Sequence, residues 1–157
     1  MDILNRLSNK EKDQLIEAIP YITVLIAGAD GEIDKEEKEW AAKLTKIRSF
    51  ASNELLHEYY HAVGVNFESK LNSIIDSLPV EVADRNSYIS EKIALINPIL
   101  DKLSDKVAFS FYKDFKSFAK HVATASGGFF RFGAISSEEK KLIPLSMLDA
   151  IDYDEEE

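Results

Sequence analysis

Four carboxylates stand close together early in this chain: Asp30, Glu32, Asp34 and Glu37. Oxygen donors in such a cluster suit a hard divalent cation, Ca²⁺ or Mg²⁺. Asp30, Glu32 and Asp34 have the spacing of the first three ligands of a calcium loop. That template then needs Gly at its sixth position and Glu at its twelfth. Lys35 and Ala41 occupy those positions, which excludes an EF-hand. A looser site remains, in which Asp30 in a turn and Glu37 one helical turn further on converge on the ion. The same residues also have a plainer use. Asp34 and Glu37 match a capping box at a helix start, and Gly31 supplies the positive φ of a tight turn.

A second constellation is His57-Glu58-Tyr59-Tyr60-His61, a full H-E-x-x-H match. On a helix, positions i and i+4 share a face, so both imidazoles can hold zinc while the glutamate activates its water. A catalytic zinc takes a third protein ligand, for which Glu81, Asp84 and Glu91 are candidates without a fixed place. A peptidase also aligns its substrate on a strand edge, and no period-two strand is legible. The alternative is two histidines flanking an aromatic helix face.

Seven of the nine phenylalanines lie between Phe109 and Phe132. Phe111, Phe115 and Phe118 fit a core stripe. Phe129, Phe130 and Phe132 fall in a glycine-rich stretch, which either plugs into its own core or docks a protein partner. His121 stands beside the core stripe and carries no functional assignment.

The elements that position these groups read as helices throughout. Ser8 and Glu11 form a capping box, followed by Leu15, Ile19, Ile22, Ile26 and Ala29 at helical spacing. Pro20 either kinks that helix or starts a second one. Lys35 to Arg48 places Trp40, Ala41, Leu44 and Ile47 on one face. Ser52 caps a helix carrying Leu55, Leu56, Tyr59, Tyr60 and Val63, which Gly64 ends. Asn66 opens the next, stopped by Pro79. A segment from Val82 to Ile96 follows, then a break at Asn97-Pro98 and a short helix through Leu103. Asp105 to Ala125 carries Ala108, Phe111, Phe115, Phe118 and Val122 and ends at Gly127-Gly128. A last helix spans Ser137 to about Ile151, interrupted or bent near Pro144. The expectation is one all-α domain over residues 1–151, a compact bundle of seven to eight helices, with an acidic disordered tail at 152–157.

The acidic turn returns once. Gly133-Ala134-Ile135-Ser136-Ser137-Glu138-Glu139-Lys140 matches Gly31 to Lys38, with Ser136 and Glu139 as the second box, which suggests a two-fold pseudo-repeat. The Ala29-Asp30-Gly31 turn with its Glu36-Glu37 helix start, and this degenerate second copy, resemble the tellurite-resistance TerB-like family. The resemblance implies a compact helical domain linked to tellurite, metal or envelope stress. It also implies a non-enzymatic binding or scaffolding role and an acidic surface at Asp30, Glu32, Asp34 and Glu37 that takes a metal. Phe132 stands where the second turn would have its acid, so a site drawing acids from both turns is not supplied here.

Composition narrows the partners. The chain has 28 acids against 19 Lys and Arg, a net charge of −9, with five acids at Asp152 and Asp154 to Glu157. Such a chain is repelled by a phosphate backbone, and no basic stripe is evident, so no nucleic-acid partner is expected. With no cysteine there are no disulfides, thiolate metal sites or thiol catalysis. No stretch reaches the ~20 apolar residues of a membrane span, and the first residues lack the apolar run of a signal peptide. A cytoplasmic protein with protein partners is expected, with peripheral association at the inner membrane face as an option.

Overall fold

A computed structural model describes residues 5–29, 35–51, 54–130 and 141–153. Among them every regular element is a helix: α1 (Asn9–Ala27), α2 (Lys35–Ala51), α3 (Glu54–Gly64), α4 (Phe67–Ser77), α5 (Val82–Ala94), α6 (Ile96–Asp101) and α7 (Asp105–Phe130). The all-α architecture expected from the periodicity is the one observed.

The chain from Ala18 to Ala27 is apolar almost all round, and a helix of that kind has to be enclosed on every side. α1 is accordingly the central helix, packed against α2, α3, α4, α5, α6 and α7. Its start is fixed by the Ser8 box: the Glu11 amide donates to Ser8 Oγ at 3.1 Å, and the Ser8 amide donates to Glu11 Oε1 at 3.0 Å. Pro20 lies inside this single helix. Buried Thr23 returns its hydroxyl to the Ile19 carbonyl at 2.8 Å, so the one alcohol of the enclosed stretch is satisfied.

α7 lays Ala108, Phe111, Phe115, Phe118 and Val122 against this core, all buried. Tyr59 from α3 meets Phe111 edge-on at 4.9 Å between centroids and donates its hydroxyl to the Leu15 carbonyl at 2.6 Å. That bond ties α3 to the middle of α1.

Several boundaries differ from the sequence reading. α2 buries Ala41 and Leu44 as expected, but turns Arg48 inward and leaves Ile47, the last residue of the expected face, 48% exposed. The break assigned to Asn97-Pro98 falls at Leu95, and Pro98 sits in the first turn of α6, where its missing amide has no helical partner to lose. α7 continues through Gly127-Gly128 to Phe130. Two glycines cost a helix only about 1 kcal/mol each. The final helix, expected to be interrupted or bent near Pro144, is interrupted there, and from Ile143 to Tyr153 the chain forms turns and does not resume a helix. Pro144 blocks helix continuation, and Leu145 takes a left-handed φ of 49° with its side chain fully buried. Asn97 clamps this segment from both sides, donating to the Met147 carbonyl at 2.9 Å and accepting from the Asp149 amide at 2.8 Å.

Candidate functional site

The acidic connector leaves α1 and enters α2. Asp30, Glu32 and Asp34 lie outside the described residues, as does Gly31, and Glu37 belongs to α2 with an undescribed side chain. What the structure fixes is the ground on either side. The connector departs after Gly28 and Ala29 and ends at Lys35, the first residue of a helix packed on α1. Arg85 of α5, 6% exposed, donates from Nη2 to the Gly28 carbonyl at 2.5 Å. A Cβ on residue 28 would stand 3.0 Å from that same Nη2 and from the Val24 carbonyl, so glycine is what lets the guanidinium approach. Beside the start of α2 a cavity of about 210 Å³ opens between Lys35, Lys38 and Glu39 of α2 and Glu68, Leu71 and Asn72 of α4. Its rim is mixed in charge.

His57 and His61 both lie on α3, one helical turn apart, as the H-E-x-x-H reading requires. His57 is half-buried, and its enclosed Nε2 has no hydrogen-bond partner among the described residues. His61 is exposed and lines an open cavity of about 530 Å³ together with Thr45, Phe50, Tyr60, Val65 and Phe67. Among the described residues no three His, Cys, Asp or Glu side chains are grouped as metal donors. Glu81, Asp84 and Glu91 therefore do not complete a site with this pair. The second turn from Gly133 to Glu139, and Phe132, lie outside the described residues. Phe129 and Phe130 close α7 with undescribed side chains.

The densest polar constellation was not assigned from sequence. Arg48 of α2 reaches into a gap between α3 and α7, where Nη1 contacts Asp114 Oδ1 at 2.5 Å, the Asp114 carbonyl at 3.3 Å and the Tyr60 hydroxyl at 3.2 Å. Nη2 donates to Ser117 Oγ at 3.1 Å and meets His121 Nδ1 at 3.0 Å. The Tyr60 hydroxyl passes its own proton toward Asp114 Oδ2. The guanidinium also lies over the rings of Tyr60 and Phe118, 5.5 and 5.4 Å from their centroids. A guanidinium only donates, so His121 Nδ1 must accept, which places the imidazole proton on Nε2 in the neutral form. Burial, then the charges of Arg48 and Lys120, lower the His121 pKa, with Asp114 opposing. Burial raises the Asp114 carboxyl despite Arg48 and Tyr60 favouring its anion. Burial, and then the Asp114 charge, push the Tyr60 hydroxyl well above its ordinary value.

A signal for this cluster existed. Asp114, Ser117 and His121 are spaced i, i+3, i+7 along one edge of the phenylalanine stripe, the spacing of residues that share a helix edge. Three polar groups aligned beside a core stripe require a polar partner from across the interface.

No protein-family model matches this chain, and neither the curated proteins nor the solved structures contain a match to it.

Proposed function

We propose that this chain is a non-enzymatic helical binding or scaffolding module of TerB-like character, whose connector between α1 and α2 takes a divalent cation weakly through Asp30, Glu32, Asp34 and Glu37. The observation that supports it is the placement of that connector: it joins two packed helices and starts at a carbonyl gripped by the buried Arg85. Within the same reading, the match between Gly31 to Lys38 and Gly133 to Lys140 is an internal pseudo-repeat, and the wider role is in metal or envelope stress with protein partners.

Carboxylates brought together in a short connector repel one another, and a bound cation relieves that repulsion and favours the folded state. At a cation concentration ~100 times the dissociation constant, the gain is about 2.7 kcal/mol. For a chain of this size that corresponds to roughly 5–10 °C in melting temperature. Thermal melts in millimolar Ca²⁺ or Mg²⁺ should show a rise that Asp30→Asn removes. An unchanged melting temperature would leave the connector a purely structural turn.

A second reading rests on the enclosed Nε2 of His57, unpartnered among the described residues, beside a groove that His61 lines. It makes the α3 pair the core of a small zinc peptidase, with Glu58 as the base. Stoichiometric zinc in the purified protein, with peptidase activity lost in Glu58→Gln, would establish it over the binding module.

A further inference from the structure

The solvent side of α7 is basic, in a chain of net charge −9. Lys106, Lys113 and Lys120 recur at intervals of seven, and Lys116 lies beside them. Heptad spacing keeps a helix face nearly constant, with a drift of ~20° per repeat. The acids of α7 are Asp105 in the first turn and Asp114, which is held inside by Arg48. The four lysines are thus answered on their own helix by one outward acid. Aromatic rings order two of them. Lys113 Nζ lies 5.5 Å from the centroid of Phe109, and Lys116 Nζ lies 5.0 Å from that of Tyr112.

The residues that lead into the chain's acidic segment are delivered to this face. After the Asn97 clamp, Ile151 packs on the core and Tyr153 sets its ring 6.0 Å from Phe109, the ring that Lys113 covers. Asp152 is exposed beside it, and Asp154, Glu155, Glu156 and Glu157 follow directly. Four residues span up to ~14 Å when extended. Along a helix rising 1.5 Å per residue, that reach from Phe109 covers Lys106, Lys113 and Lys116 and approaches Lys120.

We propose that the acidic segment Asp152–Glu157 docks in cis along the lysine face of α7 and occupies it against other anionic partners. Tethering makes the encounter intramolecular, so several individually weak exposed pairs add to one local association. Because those pairs are exposed, salt dissolves them: the screening length falls from about 10 Å at 0.1 M to about 3 Å at 1 M.

The absence of native cysteine permits a direct test. A nitroxide on Glu157→Cys should broaden the amide resonances of α7 around Lys106 to Lys120 at low salt. One molar NaCl, or the combined change Lys106→Gln, Lys113→Gln, Lys116→Gln and Lys120→Gln, should restore them, while signals of α4 and α5 stay sharp throughout. No broadening at low salt would overturn the proposal, and so would broadening centred on another helix. Mixing spin-labelled protein with isotope-labelled, untagged protein supplies the remaining arm. Broadening that appears equally in that mixture assigns the segment to a second copy and overturns docking in cis.

Discussion

Two arginines are buried among the described residues, and their surroundings differ. Arg48 joins α2 to α3 and α7 and meets a carboxylate, a phenol, a serine, an imidazole and two ring faces. Arg85 joins α5 to the end of α1 and, among the described residues, meets one neutral carbonyl, that of Gly28, and has no partner for its enclosed Nε. The first arrangement matches a charge with an opposite charge where water is excluded. The second places a cation at the carbonyl end of a helix, where the macrodipole favours it, just ahead of a connector rich in acids. Arg48 is therefore the internal tie of the bundle, and Arg85 shapes the exit from α1.

The largest expected effect breaks the first arrangement. Arg48→Met leaves Asp114 enclosed without its cation, and removing one partner of a buried pair costs about 3–5 kcal/mol. Arg85→Met strands no buried anion among the described residues and should cost less, about 1.5–3 kcal/mol, the scale of a lost charged hydrogen bond. Urea denaturation of both variants ranks them directly. Equal losses would remove the distinction between tie and exit. Replacing both members together, Arg48→Met with Asp114→Leu, should recover most of the first loss, because no lone charge remains inside.

Next in size is Gly28→Ala. The added methyl meets Arg85 Nη2 and the Val24 carbonyl at 3.0 Å, and overpacking of this kind costs about 1–3 kcal/mol. In an Arg85→Met background the long head is gone and the alanine should be tolerated better. A double-mutant cycle would show that as a coupling of the kind neighbours give, and additivity would mean that the helix backbone alone sets the penalty. Tyr59→Phe is smaller again. It deletes the bond to the Leu15 carbonyl while keeping the edge-on contact with Phe111, for a loss of about 1 kcal/mol in the same assay.

What was legible in the sequence follows the range of each interaction. The Ser8–Glu11 box needs only neighbours three residues apart, and it is present as read. The α7 stripe is a periodicity within one helix, and its five core residues are all buried. Contacts made across the fold were not legible. Apolar Ile47 and charged Arg48 compete for the inward position of α2, and local pattern favours the isoleucine. The arginine takes that position because Asp114 lies 66 residues away in sequence on the facing helix. Leu145 likewise adopts a left-handed φ that its own propensity opposes, held there by burial and by the Asn97 clamp. The lysine face escaped notice for a different reason: heptad spacing among acids elsewhere is hidden in a net charge of −9.

The smallest expected effect concerns pH, and it separates the two edges of the Arg48 tie. In the folded chain the His121 pKa lies below the ordinary 6.5, chiefly through burial and the neighbouring Arg48. As pH falls through 6.5, the unfolded chain binds a proton that the folded chain refuses, so stability declines until the folded value is also passed. Asp114 acts oppositely and at lower pH. Its carboxyl is raised from 3.8, so the folded chain takes up a proton first and regains stability as pH drops through that raised value. The fold should therefore weaken just below pH 6.5, with Asp114 opposing further loss in the carboxylate range. His121 is largely exposed, so solvent screens the first effect and the decline should be modest. His121→Gln keeps an acceptor for Arg48 Nη2 and removes the titration. Urea midpoints at pH 7.5, 6.5 and 5.5 should then fall less steeply in the variant than in the parent chain. Parallel slopes would mean that the imidazole rests against Arg48 without being coupled to folding, leaving Asp114 and Tyr60 to hold the guanidinium.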